Sequence, residues 1–214
     1  MAAPMPASAA NRRAAVLLIL YAVLWAALAI SPHDRSDWLL ENLLVFAGVP
    51  VIVLNHRKRP LSGLSYLCIA LFMSLHAVGA HYTYSEVPLG DWFKGALGLQ
   101  RNQFDRVVHF SFGLLMAIPA FELQSRLWAR RGWWNFALPM TATLSISSMY
   151  EIMEWVVAAL VSPDSGTAFL GTQGDVWDAQ KDMAIALVGA ALSMLAAFVC
   201  DRAGHSLMPA RPKR

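Results

Sequence analysis

Acidic side chains recur along this 214-residue chain at spacings that put them on single helix faces. In the stretch Gly171-Thr-Gln-Gly-Asp175-Val-Trp-Asp178-Ala-Gln-Lys-Asp182, the residues Asp175, Asp178 and Asp182 stand at i, i+3 and i+7, and an apolar run follows to Val199. At 3.6 residues per turn the three carboxylates share a face that leads into a hydrophobic helix, where unpaired acids are costly. Asp105 and His109 stand at i and i+4, and Glu151 and Glu154 at i and i+3, so each pair also shares a face. His76 and His81 lie near the end of another apolar run. A mixed histidine and carboxylate set suits Zn, Fe or Mn, whereas carboxylates alone suit Mg or Ca. Acids held protonated would instead serve as general acids or as a proton relay.

Those residues need elements to carry them. The chain is 57% hydrophobic and only 14% charged, which marks a membrane protein rather than a soluble domain. Six apolar spans follow: Ala14 to Ile30, Trp38 to Leu54 with Glu41 and Asn42 at one end, Leu61 to about Ala80, Phe104 to Phe121, Phe136 to Val161, and Asp178 to Val199. The connection from His81 to Gln103 carries Pro88 and the pair Trp92-Phe93 and reads as a loop that lies on the membrane surface or folds back over the bundle. The competing reading of the first span is a signal peptide ending at Ala27-Leu28-Ala29. Residues 1–13 read as a disordered N-terminus, 14–200 as one transmembrane domain and 201–214 as a basic tail. The fold class is therefore all-α, a polytopic six-helix transmembrane bundle.

Orientation follows from lysine and arginine. With a cytoplasmic N-terminus, only Arg35, Lys94, Arg101, Arg106 and Lys181 of the 17 basic residues fall outside. Both termini are then cytoplasmic, and the acids and histidines gather in the outer half of the bilayer. The formal net charge of +3 is too small and dispersed for nucleic acid. Cys68 and Cys200 sit inside apolar runs and read as core residues, not as a disulfide or thiolate site. Glu122, beside Arg126, reads as a surface acid, and Trp38, Trp133 and Trp134 as interfacial belt residues. Gly113 and Gly189 read as points of close helix contact.

Individually each acid has a plain structural role: Asp105 favoured by a helix dipole, Asp175 as a cap, Glu151 and Glu154 paired with Arg101, Arg106 or Lys181. Together they leave an excess of buried negative charge that a divalent cation would neutralise. The candidate ligand pool is His76, His81, Asp105, His109, Glu151, Glu154, Asp175, Asp178 and Asp182. Within it His109, Glu151, Asp178 and Asp182 are the candidate catalytic groups and Asp105 orients His109. Arg101, Arg106 and Tyr82 are the candidates for binding substrate, the arginines through an anionic headgroup.

The segments His81-Tyr-Thr-Tyr84, Arg101-Asn102, Asp105-Arg106 with His109-Phe110, Tyr150-Glu151, Glu154-Trp155, Gly171-Thr-Gln-Gly-Asp175 and Trp177-Asp178 together resemble the YjdF family of bacterial inner-membrane proteins, across about Leu61 to Ala191. The resemblance implies a multi-pass protein of the bacterial inner membrane and no settled activity. A looser similarity is to VanZ-like membrane proteins, through Asp105-Arg-Val-Val-His109-Phe110, Glu151 or Glu154, and Asp178 to Asp182. Here Arg106 replaces that family's Lys, and Asp182 its Asn. The leading expectation is a metal-dependent membrane enzyme acting on a lipid or cell-envelope substrate. The alternatives are a proton- or cation-coupled transporter, which would need access from both faces, and a non-catalytic membrane scaffold.

Overall fold

The computed structural model describes residues 7–127, 132–161, 166 and 169–203. The expected tail beyond residue 203, with His205, lies outside them, as do Arg130, Arg131 and the first six residues. The described residues form seven helices and no strand: α1 (Ala7–Leu28), α2 (Arg35–Lys58), α3 (Gly63–His81), α4 (Pro88–Leu97), α5 (Phe104–Leu127), α6 (Trp134–Leu160) and α7 (Asp178–Arg202). Five of them, α1, α2, α3, α5 and α7, are long and apolar enough to cross a membrane. The expected fifth span, α6, has the length at 27 residues. It lacks the hydropathy, because Ser145, Ser147, Ser148, Tyr150, Glu151 and Glu154 lie along it. It is the helix that carries the glutamates, so the shortfall has a local cause.

Local sequence fixes several helix ends. Asp34 caps α2, its carboxylate accepting the Ser36 and Asp37 amides at 2.7 and 2.9 Å. The expected surface loop contains α4, which the sequence reading missed. Pro88 opens this helix and Gly98 closes it in the left-handed region at φ 63°. Asp175 precedes α7 rather than lying within it, so the row of three acids on one helix face is really two helical acids and one in the turn before them.

The central contact is between α5 and α7. A Cβ on Gly113 would fall 1.8 Å from the Ala186 carbonyl oxygen, and one on Gly189 would fall 2.3 Å from that of Phe110. The helices thus touch backbone to backbone, as small residues permit in membranes. Below this contact Ala117, Phe121, Ala190, Met194 and Ala197 form the core with Cys68 of α3. Large apolar side chains such as Leu20, Val51, Met149 and Leu195 point outward, as a bilayer requires.

Two readings are corrected by burial. Trp38 is not a belt residue. It is 6% exposed and packs on Trp25 with ring centres 5.5 Å apart. Glu122 is not a surface acid either. It is 1% exposed and accepts from the Ser62 amide at 2.8 Å, the Ser62 hydroxyl at 2.7 Å and the Ser65 hydroxyl at 2.5 Å, with Arg126 beside it. Its i+4 arginine suggested a solvent pair, but two serines at the start of α3 enclose it.

Candidate functional site

Antiparallel succession decides which residues can meet. The starts of α2, α5 and α7 and the ends of α3 and α6 lie at one end of the bundle. Each brings polar groups there: Asp37 and Glu41 on α2, His76 on α3, Asp105 and His109 on α5, Glu151 and Glu154 on α6, and Asp178 and Asp182 on α7.

Three of these form a compact donor set. One ligand atom each from Asp105, His109 and Asp182 lie within 4.8 Å of one another. Glu151 adjoins them, with Oε1 3.5 Å from His109 Nε2, the same separation as between that nitrogen and Asp105 Oδ1. Two donors each about 2.1 Å from one ion stand roughly 3–4 Å apart, so small side-chain movements would seat a divalent cation. Glu151 Oε1 and Asp182 Oδ1 are buried and make no hydrogen bond. Arg106 Nε lies 3.5 Å from that Asp182 oxygen and His109 Nε2 3.5 Å from that of Glu151, so both oxygens keep acceptor capacity that a cation would satisfy. The four groups open into a cleft of about 580 Å³ whose rim includes Ile152, Trp155 and Val176.

Other members of the expected pool are committed elsewhere. The Asp178 carboxylate is gripped by both arginines. Arg101 donates to its two oxygens, to Oδ2 at 3.3 Å, and Arg106 donates to Oδ1 at 2.7 Å. Arg106 also meets Asp175 at 2.9 Å. Both guanidinium groups are therefore occupied by carboxylates, which weakens their reading as receptors for an anionic headgroup. His76 uses both ring nitrogens, Nε2 donating to the Glu41 carbonyl at 3.2 Å and Nδ1 accepting from the Tyr84 hydroxyl. His81 donates to the Leu28 carbonyl at 2.7 Å and packs on Tyr82, whose ring also faces His33. Neither His81 nor Tyr82 joins the donor set.

The Gly-Thr-Gln-Gly-Asp segment positions the arginines. Gly171, Gln173 and Gly174 all adopt positive φ, at 56°, 49° and 86°, and the resulting tight turn folds over the start of α5. There the Gln173 side chain pairs with the Asn102 backbone, accepting its N–H at 2.9 Å and donating to its carbonyl at 3.1 Å. The carbonyls of Thr172 and Gly171 receive Arg101 at 3.3 and 3.4 Å. Gln173→Ala removes both amide bonds and is expected to cost about 1–2 kcal/mol, read as a lower thermal midpoint with the helices retained.

Asp175 lies in the turn before α7, where Lys181 meets it at 2.9 and 2.6 Å. That ammonium above all, then the Trp177 amide and the Arg106 guanidinium, hold its carboxyl down at about 2, from an ordinary 3.8. A depressed folded value stabilises above the unfolded one and is lost as pH falls through the folded one. Amide-exchange protection of residues 171–177 should be flat from neutral pH to about 5 and decline between about 4 and 2. In Asp175→Asn that acid decline should vanish.

Sequence reasoning overlooked the α2 acids. Glu41 and Asp37 are both 2% exposed. Glu41 accepts the Tyr150 hydroxyl at 2.7 Å, while neither Asp37 oxygen has a hydrogen bond. The signal was present as an acid pair at i and i+4 in an apolar helix, but in the first turns of a helix it reads as a dipole effect.

The family described as "Predicted membrane protein (DUF2238)" matches residues 13–203. The inner membrane protein YjdF of Escherichia coli (strain K12) is 42% identical over 174 residues, which is 80% of this chain and 83% of that protein. No solved structure matches the chain. With nearly its whole length covered and its Gly-Thr-Gln-Gly-Asp turn holding the arginines over an acid and histidine cleft, the chain belongs to this family of polytopic membrane proteins, as the sequence resemblance implied.

Proposed function

We propose that the chain is a metal-dependent membrane enzyme whose divalent ion is held by Asp105, His109 and Asp182, with Glu151 beside it. The observation that carries this reading is the convergence of three ligand atoms within 4.8 Å next to buried oxygens that lack hydrogen bonds. The mixed nitrogen and oxygen donors favour Zn, Mn or Fe over Ca. Bound there, the ion would supply Lewis-acid polarisation of a substrate phosphoryl or carbonyl oxygen. Glu151 and Glu154 both line the cleft, and Glu151 Oε1 makes no hydrogen bond there, so this pair is suited to take and return a proton. In this reading Asp178, a candidate catalytic group, serves instead to balance Arg101 and Arg106, which also stand 3.7 Å from Asp105 and 3.5 Å from Asp182 respectively.

The substrate class follows from the surroundings. The polar floor of the cleft is rimmed by Trp155 and Val176, 66% and 87% exposed at the level of the helix ends. That combination suits an amphiphile, a lipid or lipid-linked envelope precursor whose polar group reaches the floor. Because the arginines are spent on carboxylates, an anionic headgroup would be received by the ion. On the lysine and arginine distribution, α6 is the fifth of six spans, both termini are cytoplasmic and the cleft faces the extracytoplasmic side. A transporter needs a comparable polar path at the other end. Among the described residues, the buried acid there is Glu122, closed off by Ser62, Ser65 and Arg126.

Elemental analysis of the purified protein tests the reading. The chain should carry a stoichiometric divalent ion, and Asp182→Asn of equal thermal midpoint should bind it at least about 100-fold more weakly, since even partners behind a ligand are worth 10–100-fold. Wild-type protein that neither retains nor takes up such an ion would contradict it.

A further inference from the structure

At the opposite end of the bundle, α1 and α2 part over α3 and leave an apolar groove. Near their other ends the two helices are pinned: Trp25 Nε1 donates to Asn42 at 2.6 Å, and the Trp25 ring packs on Trp38 and Phe46. No comparable polar tie joins them further along among the described residues. The opening, about 200 Å³, is walled by Leu17 and Leu18 of α1 and by Val49, Ile52 and Val53 of α2, with Ile69, Ala70 and Met73 of α3 as its floor.

Three features of the groove point to one occupant. Its length comes first. It runs along α1 from Asn11 to Tyr21, about 15 Å at 1.5 Å per residue, which is half of a hydrocarbon core of about 30 Å. It therefore matches the depth of a single leaflet. Its charge comes second. Asn11 and His56 line one end, and the residues beside them in sequence are Arg12 and Arg13 on α1, Arg57 and Lys58 on α2 and Arg59 just past its end, all exposed. Five cations stand around the mouth of an apolar slot, at the depth where phosphates of a bilayer lie. Third, Tyr21 lines the groove at 8% exposure and its hydroxyl is buried without a hydrogen-bond partner. A helical side chain leans toward its own N-terminus, so this hydroxyl is directed toward the basic mouth. An orphan hydroxyl is costly in an apolar setting unless something in the groove meets it.

We propose that this groove is a binding site for an anionic phospholipid of the adjacent leaflet, with an acyl chain between α1 and α2 and the headgroup phosphate among Arg12, Arg13, Arg57, Lys58 and Arg59. Tyr21 meets the glycerol-ester region. The site is separate from the acidic cleft and independent of whether that cleft holds a metal. It also gives α1, which buries little of itself against the bundle, a lipid as part of its packing surface.

Native mass spectrometry of the delipidated full chain tests this, with phosphatidylglycerol and phosphatidylethanolamine offered separately. One phosphatidylglycerol should be retained per chain, in clear preference to phosphatidylethanolamine. Ala70→Trp fills the floor of the groove and should abolish retention at an unchanged thermal midpoint. Should that variant not fold, Tyr21→Phe removes only the hydroxyl and should weaken retention about fivefold, as the loss of one hydrogen bond does. Arg12→Gln combined with Arg57→Gln should remove the preference between headgroups. Equal retention of the two lipids by the wild type would overturn the proposal, as would undiminished phosphatidylglycerol binding in folded Ala70→Trp. A second copy of the chain filling the groove, seen as a dimer that Ala70→Trp dissociates, would overturn it as well.

Discussion

Gly113→Ala should lower the thermal midpoint by about 5–10 °C, corresponding to roughly 2–3 kcal/mol of overpacking. The added methyl would fall 1.8 Å from the Ala186 carbonyl oxygen and 2.9 Å from the Ala190 nitrogen, both backbone atoms that no rotamer change can move. The helices α5 and α7 must part, and the same contact sets the distance between His109, one turn away on α5, and Asp182, one turn before Ala186 on α7. Metal uptake should therefore fall along with stability. Gly48→Ala is the matched control, since a methyl there meets nothing within 4 Å and should be neutral or slightly stabilising through helix propensity. If Gly113→Ala behaves like Gly48→Ala, the close α5–α7 crossing is wrong.

The second large effect concerns the arginines. Arg101 is 7% exposed and Asp178 5%, so neither has water to fall back on. Arg101→Met should destabilise by about 3 kcal/mol, the lower end for breaking a buried pair, because Arg106 still reaches Asp178 at 2.7 Å. Adding Asp178→Leu should recover part of that loss, since it removes the carboxylate left short of a partner while Arg106 keeps Asp175 at 2.9 Å. Recovery would assign Asp178 a balancing role. A further loss in the double variant would return it to the reacting groups.

Much of this arrangement was legible from spacing alone. Asp105 with His109, Glu151 with Glu154, and Asp178 with Asp182 could be placed on faces from helical periodicity, and antiparallel order then sent them to one end. What spacing does not encode is which acids the bases neutralise. Spacing offers Arg101 and Arg106 to the glutamates, yet the left-handed turn at Gly171, Gln173 and Gly174 carries Asp175 and Asp178 to them instead. Partner choice depended on a backbone turn whose closure across 71 residues, from Asn102 to Gln173, no local pattern reveals. Burial was equally hard to read. Glu122, Trp38, Asp37 and Glu41 all sit near helix ends, where charge and tryptophan are ordinarily solvated or interfacial. Here neighbouring helices cover them. The expected fifth span fell short in hydropathy for a related reason, because Ser148, Glu151 and Glu154 among its polar residues line the cleft.

The most direct test of the central claim is electron paramagnetic resonance of Mn(II)-loaded protein carrying 15N-labelled histidine. The account predicts a nitrogen coupling from one imidazole that persists in His76→Gln and His81→Gln and disappears in His109→Gln. Failure to bind Mn(II), or a coupling that survives the loss of His109, would contradict it.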